Sequence, residues 1–277
     1  MENEKDRQKK EESMPEKRVL EEMSWTEFDQ IRKEVDTVLI PAGSVEVEGP
    51  HLPLGVDSIV ALEVAKRVAS GEKFLVAPLV SVTYSEWHMG FPGTLSLSLS
   101  TLTQVLREIC EDLVEHGLCR IMFINSHVGN DPAIMEIGNE LIRSSSARVG
   151  MVNLWAMANQ MGKDIPELEE KNFLHAGEIM TSVMLALRPD LVNMSQAKKE
   201  YLKSRVDSFT QKGSSQVTFK GISAYSYHLS DEVTKSGVMG NPLAATKEKG
   251  EKIISLWVGF IREYIREFRK LPLEARS

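Results

Sequence analysis

Cysteine is nearly absent from this chain: its 277 residues include two, Cys110 and Cys119. They form no CxxC pair and cannot build a disulfide framework, so a reducing cytoplasm is the expected compartment. No apolar run approaches the roughly 20 residues that a membrane-spanning helix needs, and no charged-then-apolar leader opens the sequence. No membrane attachment is expected. Positive charge is also in deficit, with 33 Lys and Arg against 40 Asp and Glu and a net charge of −7. Bulk nucleic-acid affinity rests on basic residues neutralising phosphates, so nucleic acid is excluded as a partner of that kind. Internal repeats and low-complexity linkers are missing after residue 18. One domain over residues 19–277 is therefore the simpler organisation.

The first 18 residues hold six acidic and six basic side chains and no aromatic. Such a segment buries too little apolar surface to offset its ordering entropy and reads as a disordered charged tail. Beyond it, Ser24 followed by Glu27 forms a capping-box pattern ahead of Phe28, Ile31 and Val35. Strand and helix patterns then alternate. Strands are expected at 37–43, 74–80, 119–125 and 149–155, and helices at 57–69, 100–117, 132–145 and 179–187. Pro78 makes the end of the second strand indistinct. A last helix, 245–268, carries Ile253, Ile254, Trp257, Ile261, Tyr264, Ile265 and Phe268 at the spacing of a stripe packed on the body of the protein. This alternation predicts a three-layer α/β/α fold with a mostly parallel central sheet.

In open α/β sheets, ligands gather at the carboxyl ends of the strands. After the first strand the chain reads Gly43-Ser-Val-Glu46-Val-Glu48-Gly-Pro-His51-Leu-Pro-Leu-Gly-Val-Asp57, three carboxylates and an imidazole among turn-forming residues. Glu46 and Glu48 are two apart, so in an extended segment they project to one side. Oxygen and nitrogen donors on a loop held by rigid turns are what a divalent cation requires. The third strand runs into Asn125-Ser-His127-Val-Gly129-Asn130, and His175-Ala-Gly-Glu178 opens a helix. Glu86-Trp87-His88, ahead of Phe91-Pro-Gly, adds an aromatic and an imidazole suited to lining a pocket, as is Trp155. Taken singly, a loop glutamate is usually solvated and a lone histidine usually structural. Three strand-end clusters with complementary metal chemistry carry the reading together. His116 reads as a helix cap, Cys110 and Cys119 as core, His228 as part of a surface strand, and Met180 with Met184 as a helix core face.

The segment GSVEVEGPHLPLGVD resembles the first signature of the creatininase family, close to G-S-x-E-x-H-G-x-H-L-P-L-x-x-D. NSHVGN resembles the family's N-G-H-G-G-N, and HAGEIMTSVMLALRP its H-A-G-E-x-E-T-S-x-M-L. FPGTLSLS and GVMGNPLAATKEKGEKI also look like family segments, and all run in family order between residues 37 and 255. The resemblance implies a compact α/β fold, often a hexamer, with a centre of one or two divalent ions that activates water against a small or cyclic amide. It implies Glu46 as a ligand of one ion, Asp57 as a carboxylate bridging both, His127 as a ligand, and His175 as the acid/base at the reacting carbon. His51 is expected just outside the ligand shell.

Three departures stand out. Glu48 replaces the metal-binding histidine of the first signature, which keeps a ligand but favours Mn²⁺, Mg²⁺ or Fe²⁺ over an imidazole-rich Zn²⁺ site. Gly129 stands where creatininase-like members have a glutamate, leaving Glu178 as the candidate to complete the metal shell or to orient His175. Met180 replaces the glutamate of the E-T-S triplet. Creatinine itself is thus an unexpected substrate. The expectation is a metal-dependent hydrolase (Mn²⁺ or Zn²⁺ foremost) that opens a small cyclic polar substrate, with Trp87 and His88 contacting it. The first alternative is hydrolytic C–C opening of a cyclic diketone such as 3-dehydro-scyllo-inosose in inositol breakdown. The second is a metal-poor relative that only binds a small molecule.

Overall fold

The computed structural model describes residues 18–213 and 215–273, so the expected charged tail lies outside the described residues apart from Arg18. Ser24 caps α1 (Trp25–Ile31), its hydroxyl accepting from the Glu27 N–H while the Glu27 carboxylate receives the Ser24 N–H. Four strands follow: β1 (Thr37–Ala42), β2 (Phe74–Val76), β3 (Arg120–Asn125) and β4 (Arg148–Asn153). They pair in parallel in the order β2-β1-β3-β4. Every residue of β1 is buried, as an apolar central strand covered on both faces must be.

The layers follow from the alternation of side chains along the strands. Leu39, Met122 and Ile124 share one core with α2 (Val56–Ala69) and the last helix, whereas Val38, Ile40, Ile121 and Phe123 pack against α3 (Leu99–Glu115) and α4 (Asp131–Ser144). The three-layer α/β/α expectation is what the structure shows. α5 (Leu154–Met161) and α6 (Glu178–Leu187) join the first core. Between α6 and the last helix lies a separate antiparallel sheet, β5 (Phe209–Gln211), β6 (Gln216–Phe219) and β7 (Ile222–Tyr225). The chain closes with α7 (Lys247–Phe268), capped by the Thr246 hydroxyl.

Several boundaries differ from expectation for identifiable reasons. β2 stops at Val76, ahead of Pro78, and the chain rejoins the sheet only at a bridge between Val80 and Ala42. Strand β4 ends at Asn153 rather than Trp155, because the Asn153 side chain caps α5 by accepting from the Ala156 N–H. Trp155 is therefore a helix residue. Tyr264 is 37% exposed and lies off the buried stripe of α7, which keeps Ile253, Ile254, Trp257, Ile261, Ile265 and Phe268. His228 falls after β7, outside any strand. No helix among the described residues is long and apolar enough to cross a membrane.

Candidate metal centre

The carboxyl ends of β1 and β3 are fastened to each other, and that fastening builds the site. Gly43 leaves β1 against the first turn of α2, where a Cβ would collide with the backbone of Asp57 and Ser58. Asn130 donates to the Gly43 carbonyl (2.9 Å) and to the Asn125 side chain (3.1 Å), and Asn125 in turn receives the His127 N–H. The Ser126 hydroxyl reaches the Asp57 carbonyl. These bonds fix where His127 faces the loop after β1, which turns at Gly49 with φ 71°.

Three carboxylates converge there: Glu46 is 1% exposed, Glu48 0% and Asp57 2%. His127 donates through Nε2 to the Tyr84 carbonyl (2.8 Å), because a carbonyl only accepts. Its Nδ1 then faces Glu46 Oε2 at 3.3 Å and Asp57 Oδ2 at 3.2 Å. Asp57 Oδ2 also accepts from the Ser44 hydroxyl, and Oδ1 from the Trp155 indole N–H, each at 2.9 Å. Glu46 Oε1 lies 3.3 Å from His88 Nε2. His88 stacks on His175 with ring centroids 4.7 Å apart. His175 donates through Nε2 to the Val47 carbonyl (2.8 Å) and sits 3.3 Å from Glu48 Oε2.

Charge in this cluster is out of balance. Burial opposes ionisation of Glu46, but His127 and His88 outweigh it and hold the carboxyl well below the usual range. Burial, then the neighbouring Asp57 and Glu46, push Glu48 well above it. Burial also raises Asp57, against the hydrogen bonds from His127 and Trp155. His127 would be lowered by burial, yet Glu46 and Asp57 lift it well above an ordinary imidazole. Burial brings His88 down to about 3, so that ring is neutral. Glu46 Oε2 and both Glu48 oxygens are buried without a hydrogen-bond partner. Oxygens left bare in this way fit a divalent cation. Among the described residues two sets of donor atoms could share an ion, Glu46–Asp57–His127 and Glu46–His88–His175, each within 4.8 Å.

Glu46, Asp57 and His127 come together in one set. Glu48 belongs to neither set and faces His175. His88, expected to contact substrate, stands beside Glu46 as a candidate ligand. Its sequence signal, one imidazole before a tight turn, did not separate the two roles. Trp87 lies edge-on to His88 at 4.6 Å, with its indole nitrogen buried and unpartnered. Trp155 donates to Asp57 and stacks on Phe173. His51 stands outside both sets, bonded to Thr181 (2.9 Å).

Glu178, expected to complete the metal shell or to orient His175, stands outside both donor sets: its carboxylate accepts the Glu169 and Glu170 N–H groups and the Lys249 ammonium at 2.7 Å. Gly129 also has its reason, since a Cβ there would strike the Tyr84 carbonyl and the ring of His127. The group that fixes the His127 tautomer occupies the space of the missing glutamate. Met180 is 1% exposed within the apolar core.

The creatininase family model, described as creatinine amidohydrolase, matches residues 21–265. Creatinine amidohydrolase of Pseudomonas putida is 30% identical over 263 residues, covering 89% of this chain and 95% of that protein. The mycofactocin precursor peptide peptidase of Mycolicibacterium smegmatis is also 30% identical, over 87% of this chain and 88% of its own length. A 3-dehydro-scyllo-inosose hydrolase of Thermotoga maritima is 23% identical over 88% of this chain and 81% of its own. A mutant creatininase complexed with creatine superposes with a TM-score of 0.75 at 26% identity, over 90% of this chain and 98% of that one. A manganese form and a zinc–zinc mutant form of creatininase match with TM-scores of 0.73 and 0.69.

Proposed function

The chain belongs to the creatininase family and is a hydrolase; from that premise we propose that it uses divalent cations to hydrolyse a carbon–nitrogen bond in a small polar substrate, foremost a cyclic amide. The observation that carries the reading is the convergence of Glu46, Asp57 and His127 with Glu46 Oε2 buried and unpartnered. When bound, a divalent cation lowers the pKa of water and polarises a carbonyl. Glu46, Asp57 and His127 would hold it, and the Tyr84 carbonyl keeps the proton of His127 on Nε2. Trp155 and Ser44 fix the rotamer of Asp57.

Proton handling falls to the His175–Glu48 pair, 3.3 Å apart and turned toward the same space. His175 is held there by the Val47 carbonyl and by Ala176, whose φ of 52° is uncommon for a residue with a Cβ. The Trp87 indole N–H, buried without a partner, supplies a donor to the substrate. Oxygen-rich ligation favours Mn²⁺ over Zn²⁺ in the first set. The same reading carries a homo-oligomer working in the cytoplasm, which sedimentation of the purified protein and fractionation of its host test.

Carbon–nitrogen cleavage ranks first because two relatives at 30% identity carry names for it. Ring opening of a cyclic diketone is the second reading, supported by the inosose hydrolase relative and by Glu48, which makes the pocket richer in oxygen donors. The test is metal analysis of protein purified without added metal, beside Asp57→Ala, followed by a screen of cyclic amides, short peptides and cyclic diketones. Bound divalent metal, lost in Asp57→Ala together with amide hydrolysis, is the expected result. Wild-type protein that is folded and metal-free would sink the reading in favour of a small-molecule-binding relative.

A further inference from the structure

We infer that Glu46, not Asp57, is the carboxylate shared between two cation sites, and that His88 with His175 completes the second. The inference rests on the metal-hydrolase reading above and assigns a role that the family resemblance places elsewhere. The resemblance expects Asp57 to bridge, with the second ion held by residues at positions 48 and 129. Neither position serves here: Glu48 lies outside both convergent donor sets, and Gly129 has no side chain and no room for one.

The two carboxylates differ in what their oxygens already do. Asp57 Oδ1 receives the Trp155 indole N–H, and Oδ2 receives the Ser44 hydroxyl while facing His127. Asp57 takes part in the first set and not in the second. Glu46 turns its oxygens apart. Oε2 faces His127 Nδ1 and has no hydrogen-bond partner, and Oε1 faces His88 Nε2, each pair 3.3 Å apart. A carboxylate spread between two imidazoles from different loops is placed to span two ions.

His88 has the marks of a ligand rather than of packing alone. It is 4% exposed, its Nδ1 has no partner, and it stacks on His175 at an interplanar angle of 23°, which brings two imidazoles to one side of Glu46. A histidine buried for packing ordinarily has its ring nitrogens hydrogen-bonded. The second set offers two nitrogens and one oxygen, the first one nitrogen and two oxygens. The second is accordingly the softer site and suits Zn²⁺ or Co²⁺, whereas the first suits Mn²⁺. With His175 as a ligand, the role of their pair passes to Glu48, whose Oε2 lies 3.3 Å from His175 Nε2.

The test is metal stoichiometry by mass spectrometry on full-length protein stripped with chelator and reloaded with Co²⁺ alone, with circular dichroism as a check on folding. Two ions per chain are expected in wild type, one in His88→Ala and in the more conservative His88→Gln, and none in Glu46→Gln. Asp57→Asn should keep the second ion and its visible absorption band. Two ions in both His88 variants, or an Asp57→Asn protein that loses both while Glu46→Gln keeps one, would overturn the inference. A single ion in wild type would also overturn it and leave the hydrolase reading standing. No ion in wild type would remove both.

Discussion

Two buried acidic regions lie close together in this fold and are built on opposite plans. Around Glu178, every carboxylate oxygen has a donor: Glu178 accepts from the backbone of Glu169 and Glu170 and from Lys249, and Glu170 accepts from the backbone of Glu178 and Asn241. Around Glu46 and Glu48, three oxygens have none. The first region is complete as protein and acts as a brace for the loop that carries His175. The second leaves three buried oxygens without a donor from the protein. Burial of acid therefore does not mark a functional centre by itself; burial with the oxygens left bare does.

The largest effect should come from breaking the brace. Lys249→Met leaves Glu178 buried without its cation and should destabilise the protein by about 3–5 kcal/mol, read from chemical unfolding. Chelation is the matching experiment on the bare region. Removing a cation present at about 100 times its Kd should lower stability by about 3 kcal/mol, and Lys249→Met protein should show the same further loss. Equal stability with and without chelator would erase the distinction between the regions.

Smaller effects sharpen it. Trp155→Phe keeps the aromatic stack but removes the donor to Asp57 Oδ1, and metal affinity should fall about 10–100-fold with little change in metal-free stability. Glu48→Gln should act with the opposite sign to Lys249→Met. In metal-free protein it should raise stability by about 1 kcal/mol, a shift of about 2–4 °C in melting temperature for a chain of this size. The sign also has a pH signature. Burial raises the folded carboxyl of Glu48 above its ordinary 4.5, so the native state holds a proton that the unfolded state has released. Its contribution is present below 4.5 and fades as pH rises through the folded value, and Glu48→Gln should flatten that slope.

The difference between the regions also explains what could be read in advance. β1, α2 and the Ser24 capping box follow from local patterning, and the strand-end position of Glu46, Asp57 and His127 follows from the architecture. Glu178 could not be placed, because the partner that commits its carboxylate is 71 residues away on α7. His88 was assigned to the substrate because its relation to Glu46 exists only after the loop following β1 meets the turn at 86–88. Asn153 ended β4 early because a side chain able to cap a helix competes with strand continuation. The β5–β7 sheet left no mark in hydrophobic pattern, since β7 is exposed at every residue.

The reach of Lys249 to Glu178 also bears on the order in which the protein is made. A chain leaves the ribosome from its N-terminal side, so Glu178, just after the loop carrying His175, emerges 71 residues ahead of the ammonium that steadies it. At about 5–20 residues per second, that is an interval of roughly 4–14 seconds. During it Glu46, Asp57 and His127 are already synthesised, but the acidic brace beside them is unfinished.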